Sequence, residues 1–120
     1  MSSHFNPGDV VEVTYPFAEG EDAKGVIQAK PRPALILTVP DSDGNFIAAV
    51  ITGAGHHSNT VSIAAVDNQN VKFSKPSHVR ADKLYTFHEQ SVIQHRGSLK
   101  PAFLKKVLAV TCPAVGCSCK

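Results

Sequence analysis

The apolar residues of this chain occur in short, closely spaced runs, and no helical pattern lies between these runs. The runs are rich in β-branched residues and are separated by turn formers such as Pro7-Gly8 and the stretch from Pro40 to Asn45. Such an arrangement favours antiparallel pairing over a parallel sheet with crossover helices. The sequence therefore predicts a mainly β (α+β) fold, an antiparallel barrel with strands at residues 10–15, 34–39, 46–52, 61–64 and 77–84.

One helical pattern follows these strands. Pro101 suits a first helical position, and apolar residues after it share one face through about residue 110: Phe103, Leu104, Val107 and Leu108. We expect a single domain over residues 1–110, closed by this helix. Residues 111–120 then form a C-terminal tail.

Composition and charge limit the possible partners and the cellular location of this domain. The chain has 120 residues, 42% hydrophobic, with a formal net charge of +2, which is compatible with a polyanionic partner. No apolar stretch approaches membrane-spanning length, and the N-terminus lacks the basic and apolar regions of a signal peptide. We expect a cytoplasmic protein with no membrane contact.

The cysteines all lie in the tail, at Cys112, Cys117 and Cys119. No cysteine precedes them, so disulfides do not hold the predicted core together. No histidine lies nearby to complete a four-ligand zinc site. We expect a loose tail with reactive thiols and no metal site.

The predicted strand at residues 77–84 has two different faces. Alternation directs Val79 and Ala81 inward and leaves His78, Arg80 and Asp82 on the opposite side. A cation, an anion and an imidazole together can form a small acid/base site. The alternative is a surface ion pair between Arg80 and Asp82, with little energetic consequence.

A long loop precedes the second strand. Residues 17–31 carry no periodic apolar pattern, and a loop of this length in a small domain is usually functional or mobile. Lys30 lies at its end. Pro31 and Pro33 restrict the backbone on either side of Arg32, which therefore leaves the chain in a narrow range of directions.

These features, taken in order, resemble the MazF/PemK-type toxins over residues 7–110. The resemblance is carried by the order and spacing of several short motifs: Gly8-Asp9-Val10, Arg32-Pro33 opening an apolar strand, Thr52 ending the next, Val79-Arg80-Ala81-Asp82 followed by Leu84, and Arg96-Gly97-Ser98-Leu99 before the helix. It implies an SH3-like or CcdB-like barrel that forms a homodimer. It also implies a metal-independent endoribonuclease that needs no cofactor, cleaves single-stranded mRNA and binds a cognate antitoxin.

The resemblance further implies catalytic roles for Arg32, Thr52, Arg80 and Asp82. RNA cleavage by the ribose 2′-hydroxyl needs a base, a donor for the leaving oxygen and positive charge at the phosphate. Asp82 suits the base if its carboxylate is partly desolvated, and both arginines suit the phosphate through forked hydrogen bonds. Thr52 can add a hydrogen bond.

The sequence departs from the family pattern at two places. Gly53 follows Thr52 where family members often have a serine, and the first long loop lacks the histidine of PemK-like members. His56 or His57 is a candidate acid, the alternative being two solvated loop histidines. His78 joins the site only if the predicted strand register holds.

Two aromatic residues near the first loop complete the candidate substrate-binding set, whose other members are Lys30, Gly53, His56, His57 and His78. Tyr15 and Phe17 can stack on an unpaired base, although a barrel-lining tyrosine and a loop anchor are equally good readings. A non-catalytic binding protein on the same fold is the second hypothesis, either an RNA-binding barrel or a CcdB-like inhibitor of DNA gyrase. The combination of Arg32, Thr52, Arg80 and Asp82 favours the enzyme, because a gyrase binder does not need it.

Overall fold

Strands form where the sequence places its β-branched runs, and the helix forms on the predicted apolar stripe. The computed structural model describes residues 5–14, 31–53, 58–73 and 76–116. These residues form β1 (Asp9–Thr14), β2 (Pro31–Ile36), β3 (Asn45–Thr52), β4 (Thr60–Ser62), β5 (His78–His88), β6 (Val92–Ser98) and α1 (Pro101–Ala114). None of the helices in this part of the chain is long and apolar enough to cross a membrane.

All strands belong to one antiparallel sheet in the order β4-β5-β3-β2-β1-β6. The predicted mainly β class with a C-terminal helix is confirmed. The predicted barrel is not closed, since no pairing joins β4 to β6 among the described residues. Within the described residues the sheet therefore has two edge strands, β4 and β6, and two distinct faces.

Each face of the sheet carries its own apolar cluster. The helix face packs Val10, Leu35 and Val79 against Phe103 and Val107 of α1. The opposite face, which we call the far face, carries a second buried cluster of Val11, Val13, Ala34, Ile36, Phe46, Ala48, Val50 and Phe87. Strands β2 and β3 contribute to both clusters, which explains why their sequences are apolar on both sides.

Several strands differ from the prediction, among them β2, which ends at Ile36 and not at residue 39, and β4, which is Thr60–Ser62 and not residues 61–64. β6 was not predicted, because it is an edge strand whose residues from Ile93 to Arg96 are exposed and lack an apolar pattern. β5 continues beyond Leu84 to His88. β2 begins at Pro31, where it pairs only with β1, and its pairing with β3 starts at Ala34. Proline is tolerated there because one side of the strand has no ladder to interrupt.

The helix also runs past the predicted end at Val110, because Thr111 is buried and its hydroxyl donates a hydrogen bond of 2.6 Å to the carbonyl of Ala81 in β5. Cys112 lies in the last turns of α1 and is disulfide-bonded. It is therefore not the free thiol in a loose tail that the sequence suggested. Cys117 and Cys119 lie outside the described residues.

The hydrogen bond between Thr111 and Ala81 can be tested for its contribution to stability. Thr111→Val keeps the shape of the side chain but leaves the Ala81 carbonyl without this donor, which should lower the free energy of unfolding by about 1–3 kcal/mol. Thr111→Ser keeps the hydroxyl and should lose less. Thr86→Val, at an exposed position of β5, serves as the matched control. Urea denaturation of the variants checks this, and equal stability of Thr111→Val and parent would contradict it.

Candidate functional site

A row of polar residues crosses three neighbouring strands near one end of the sheet. His78 of β5 lies directly opposite Thr52 of β3 on one side and Ser62 of β4 on the other. Residues that oppose each other across strands share a face of the sheet. Val79, next to His78, is packed into the helix-face cluster, so the row points to the far face.

The two predicted arginines lie on the same face. Arg80 follows His78 by two residues and opposes Val50 and Thr60, of which Val50 belongs to the far-face cluster. Arg32 precedes Ala34 by two residues, and Ala34 pairs with Val50. Arg32 pairs with Val13 of β1, another member of the far-face cluster, so it lies on this face. We call Arg32, Thr52, Ser62, His78 and Arg80 the polar face.

Ser62 was missed by the sequence reasoning and is the nearest polar partner of His78. Its hydroxyl lies 2.8 Å from Nδ1 of His78. The signal that could have found it is the alternation of Val61 and Ile63, which pack toward the helix-face cluster and leave Ser62 on the other side. The contact joins β4 to β5 on the far face.

A β-bulge separates Asp82 from the regular part of the strand. Val50 opposes Arg80, yet the adjacent Ala49 opposes Leu84, so the residues from Ala81 to Lys83 have no counterparts on β3. The predicted alternation holds from His78 through Ala81, but Ala81 and Leu84 both pack in the helix-face cluster, so it is interrupted within the bulge that contains Asp82. Bulges often occur beside active sites, where they redirect a side chain.

Asp82 is exposed, and its carboxylate accepts a hydrogen bond of 3.2 Å from the side-chain amide of Asn59. No ion pair joins Asp82 to Arg80, both of which are described, so the surface-pair alternative has no support in the structure. The described part of the chain does not provide the partial desolvation expected of a general base. Bound substrate would have to supply it.

Arg80 contains an unusual donor. Its Nε is buried and has no hydrogen-bond acceptor among the described residues. A buried N–H without an acceptor is uncommon and costs about 1–3 kcal/mol. The donor belongs to a side chain of the polar face.

The remaining predicted site residues are Gly53 and five residues that the structure does not describe. Gly53 follows Thr52 at the end of β3 and is exposed. Five further candidates lie outside the described residues: Tyr15, Phe17, Lys30, His56 and His57. Within the described ranges, no group of three or more His, Cys, Asp or Glu residues could hold a metal ion.

A separate cleft of about 470 Å³ lies on the helix side of the sheet. Val10 and Val71 of the helix-face cluster line it together with Lys72, Phe73 and Arg96. Nε of Arg96 donates a 3.1 Å hydrogen bond to the Glu12 carboxylate, which also lines the cleft. None of the predicted catalytic residues lines this cleft.

Residues 6–112 match the family model of the PemK-like, MazF-like toxins of type II toxin–antitoxin systems. The chain belongs to this family. The match covers all of β1 to β6 and most of α1, and it confirms the resemblance found in the sequence. A comparison of the sequence with curated proteins found no match.

Solved structures with the same fold include three informative examples. An endoribonuclease from a mycobacterial species is 15% identical with a TM-score of 0.73, covering 100% of this chain and 99% of its own. Mycobacterium tuberculosis toxin MazF-mt6 is 22% identical with a TM-score of 0.64, and the alignment covers 92% of this chain and 99% of MazF-mt6. A chain of MazE-MazF from Deinococcus radiodurans is 18% identical with a TM-score of 0.67, and the alignment covers 95% of this chain and 97% of that chain. At these identities the likeness establishes the fold of this PemK/MazF-family chain.

Proposed function

We propose that this family member is a metal-independent, sequence-specific endoribonuclease that cleaves single-stranded mRNA in the cytoplasm and thereby inhibits translation and growth. The observation that carries the proposal is the polar face, where two arginines, a threonine and a histidine come from three strands. One of these arginines has a buried donor without an acceptor. The similar endoribonuclease structures support the same conclusion.

The chemistry follows from what these side chains can do. The 2′-hydroxyl attacks the adjacent phosphorus, leaving a 2′,3′-cyclic phosphate and a 5′-hydroxyl. Arg32 and Arg80 stabilise the negative charge that grows on the phosphate oxygens, because a guanidinium donates forked hydrogen bonds and stays protonated. Thr52 adds a neutral donor in the same row. Asp82 takes the proton of the 2′-hydroxyl once RNA covers its carboxylate.

We further propose two protein partners. An endoribonuclease of this fold from a mycobacterial species has been solved in complex with its cognate antitoxin. By the same logic this toxin binds a small antitoxin that blocks the polar face. A second copy of the chain forms the homodimer.

The activity is tested by incubating the purified protein with a long RNA in EDTA and mapping the new ends. We expect discrete cuts with 2′,3′-cyclic phosphate and 5′-hydroxyl ends, because the proposed charges come from arginines and not from a metal. The double variant Arg32→Ala/Arg80→Ala, prepared in parallel, controls for contaminating nucleases and should leave the RNA intact. RNA that remains whole with the parent protein, or that is cut only after magnesium is added, would reject the proposal.

The roles of Asp82 and Arg32 can be separated by comparing binding with cleavage. Asp82→Asn removes the base and one negative charge, so cleavage should fall on the order of a hundredfold while RNA binding holds or tightens. Arg32→Ala removes a phosphate contact, so binding and cleavage should weaken together and the salt dependence of binding should become shallower. Fluorescence anisotropy with a short RNA across a salt series measures both.

The matched control for Asp82→Asn is Asp43→Asn, at an exposed turn position before the opposite end of β3. It removes the same charge without approaching the polar face and should cleave like the parent. If Asp82→Asn also cleaves at the parent rate, Asp82 is not the base.

A further inference from the structure

We propose that His78 is the general acid of this cleavage and that Ser62 is the positioning residue that orients its ring. The inference rests on the proposed RNA-cleaving function and supplies the group that function still lacks, a proton donor for the leaving 5′-oxygen. His78 lies on the polar face between Thr52 and Ser62 and is partly buried there.

The contact between Ser62 and His78 selects which ring nitrogen can deliver a proton. The hydroxyl oxygen lies 2.8 Å from Nδ1, and a serine oxygen can accept from an Nδ1–H. That N–H is present in the imidazolium and also in the neutral ring left after Nε2 has lost its proton. One hydrogen bond therefore serves both states, and the transferable proton is the one on Nε2.

The two other described histidines, His88 and His95, make their side-chain contacts away from the polar face. Nδ1 of His88 accepts from the backbone N–H of Gln90 at 3.0 Å, and its Nε2 lies 2.8 Å from the carbonyl oxygen of Asp43. Nε2 of His95 lies 3.2 Å from the Asp9 carboxylate. His78 is the one histidine among the described residues that lies on the polar face with its side-chain contact at Nδ1.

The order of residues along β5 suits an in-line displacement. Arg80 lies two residues from His78, about 7 Å along an extended strand, and Asp82 follows on the bulge. A phosphate bound to Arg80 then has the acid toward one side and the base toward the other. Nucleophile and leaving group lie on opposite sides of the phosphorus in such a reaction, so each meets its own proton-transfer group.

The proton balance is complete with these two groups. Asp82 takes the 2′-hydroxyl proton as the O2′–P bond forms. The P–O5′ bond breaks, and the 5′-oxygen takes the proton from Nε2 of His78. The products are the cyclic phosphate and a 5′-hydroxyl, with Asp82 protonated and His78 neutral, and proton exchange with water restores both.

The test compares two RNA oligonucleotides that share one mapped cleavage site. One has the ordinary 5′-oxygen at the scissile bond, and the other has a bridging 5′-sulfur, which leaves as a thiolate and needs no proton. His78→Gln should slow cleavage of the oxygen substrate on the order of a hundredfold or more, the contribution expected of a general acid. It should slow the sulfur substrate by less than about tenfold. Asp82→Asn, which removes the base, should slow both substrates alike.

Ser62 is tested by the same pair of substrates. Ser62→Ala should lower kcat on the oxygen substrate about tenfold with little change in KM, and should leave the sulfur substrate nearly unaffected. Ser62→Thr, which keeps a hydroxyl, should restore most of the rate. Ser42→Ala, in the exposed turn between β2 and β3, is the matched control and should behave like the parent.

The outcomes separate the two proposals. If the parent cleaves both substrates and His78→Gln slows both by the same factor, His78 is not the acid and the proposed RNA cleavage stands. If the parent cleaves neither substrate, the proposed function fails and this inference fails with it. Retained cleavage of the sulfur substrate by His78→Gln also shows that the variant is folded.

Discussion

The polar face depends on the double pairing of β5. At His78 and Arg80 this strand is paired on both sides, with β3 and with β4, so neither residue can change its face without breaking two ladders. The regular pairing ends at Arg80. The next residue, Ala81, is held in place because its side chain is fully buried and its N–H donates to the Asn59 carbonyl at 2.9 Å. Its carbonyl accepts from Thr111. The bulge that carries Asp82 therefore starts from a fixed point.

This arrangement links the helix to a site that it does not touch. α1 covers the opposite side of the sheet, yet its Thr111 holds the residue immediately before Asp82. Two buried residues of the far-face cluster lie beside the polar face. Ala34 is two residues from Arg32 along β2, and Val50 lies opposite Arg80. Packing on the two faces of one open sheet thus positions the strands that carry the polar face, while charged groups at a surface add little to stability.

Much of this site was readable from sequence because strand alternation is a local property. Alternation placed His78 and Arg80 on the face opposite Val79, and the structure agrees. The bulge was not readable, since it reflects a mismatch between β5 and β3 that neither strand encodes alone. β6 was missed because an exposed edge strand has no apolar pattern, and Ser62 because its partner is 16 residues away. The open sheet and the length of α1 likewise depend on tertiary contacts.

The central claim is that RNA binds to the polar face of this toxin. The most direct measurement is an NMR titration of the ¹⁵N-labelled protein with a short 2′-O-methyl RNA, which cannot be cleaved because the nucleophile is blocked. We expect the largest amide shifts at Thr52, Ser62, His78 and Arg80. Shifts centred instead on the helix-side cleft, at Lys72, Phe73 and Arg96, would contradict it.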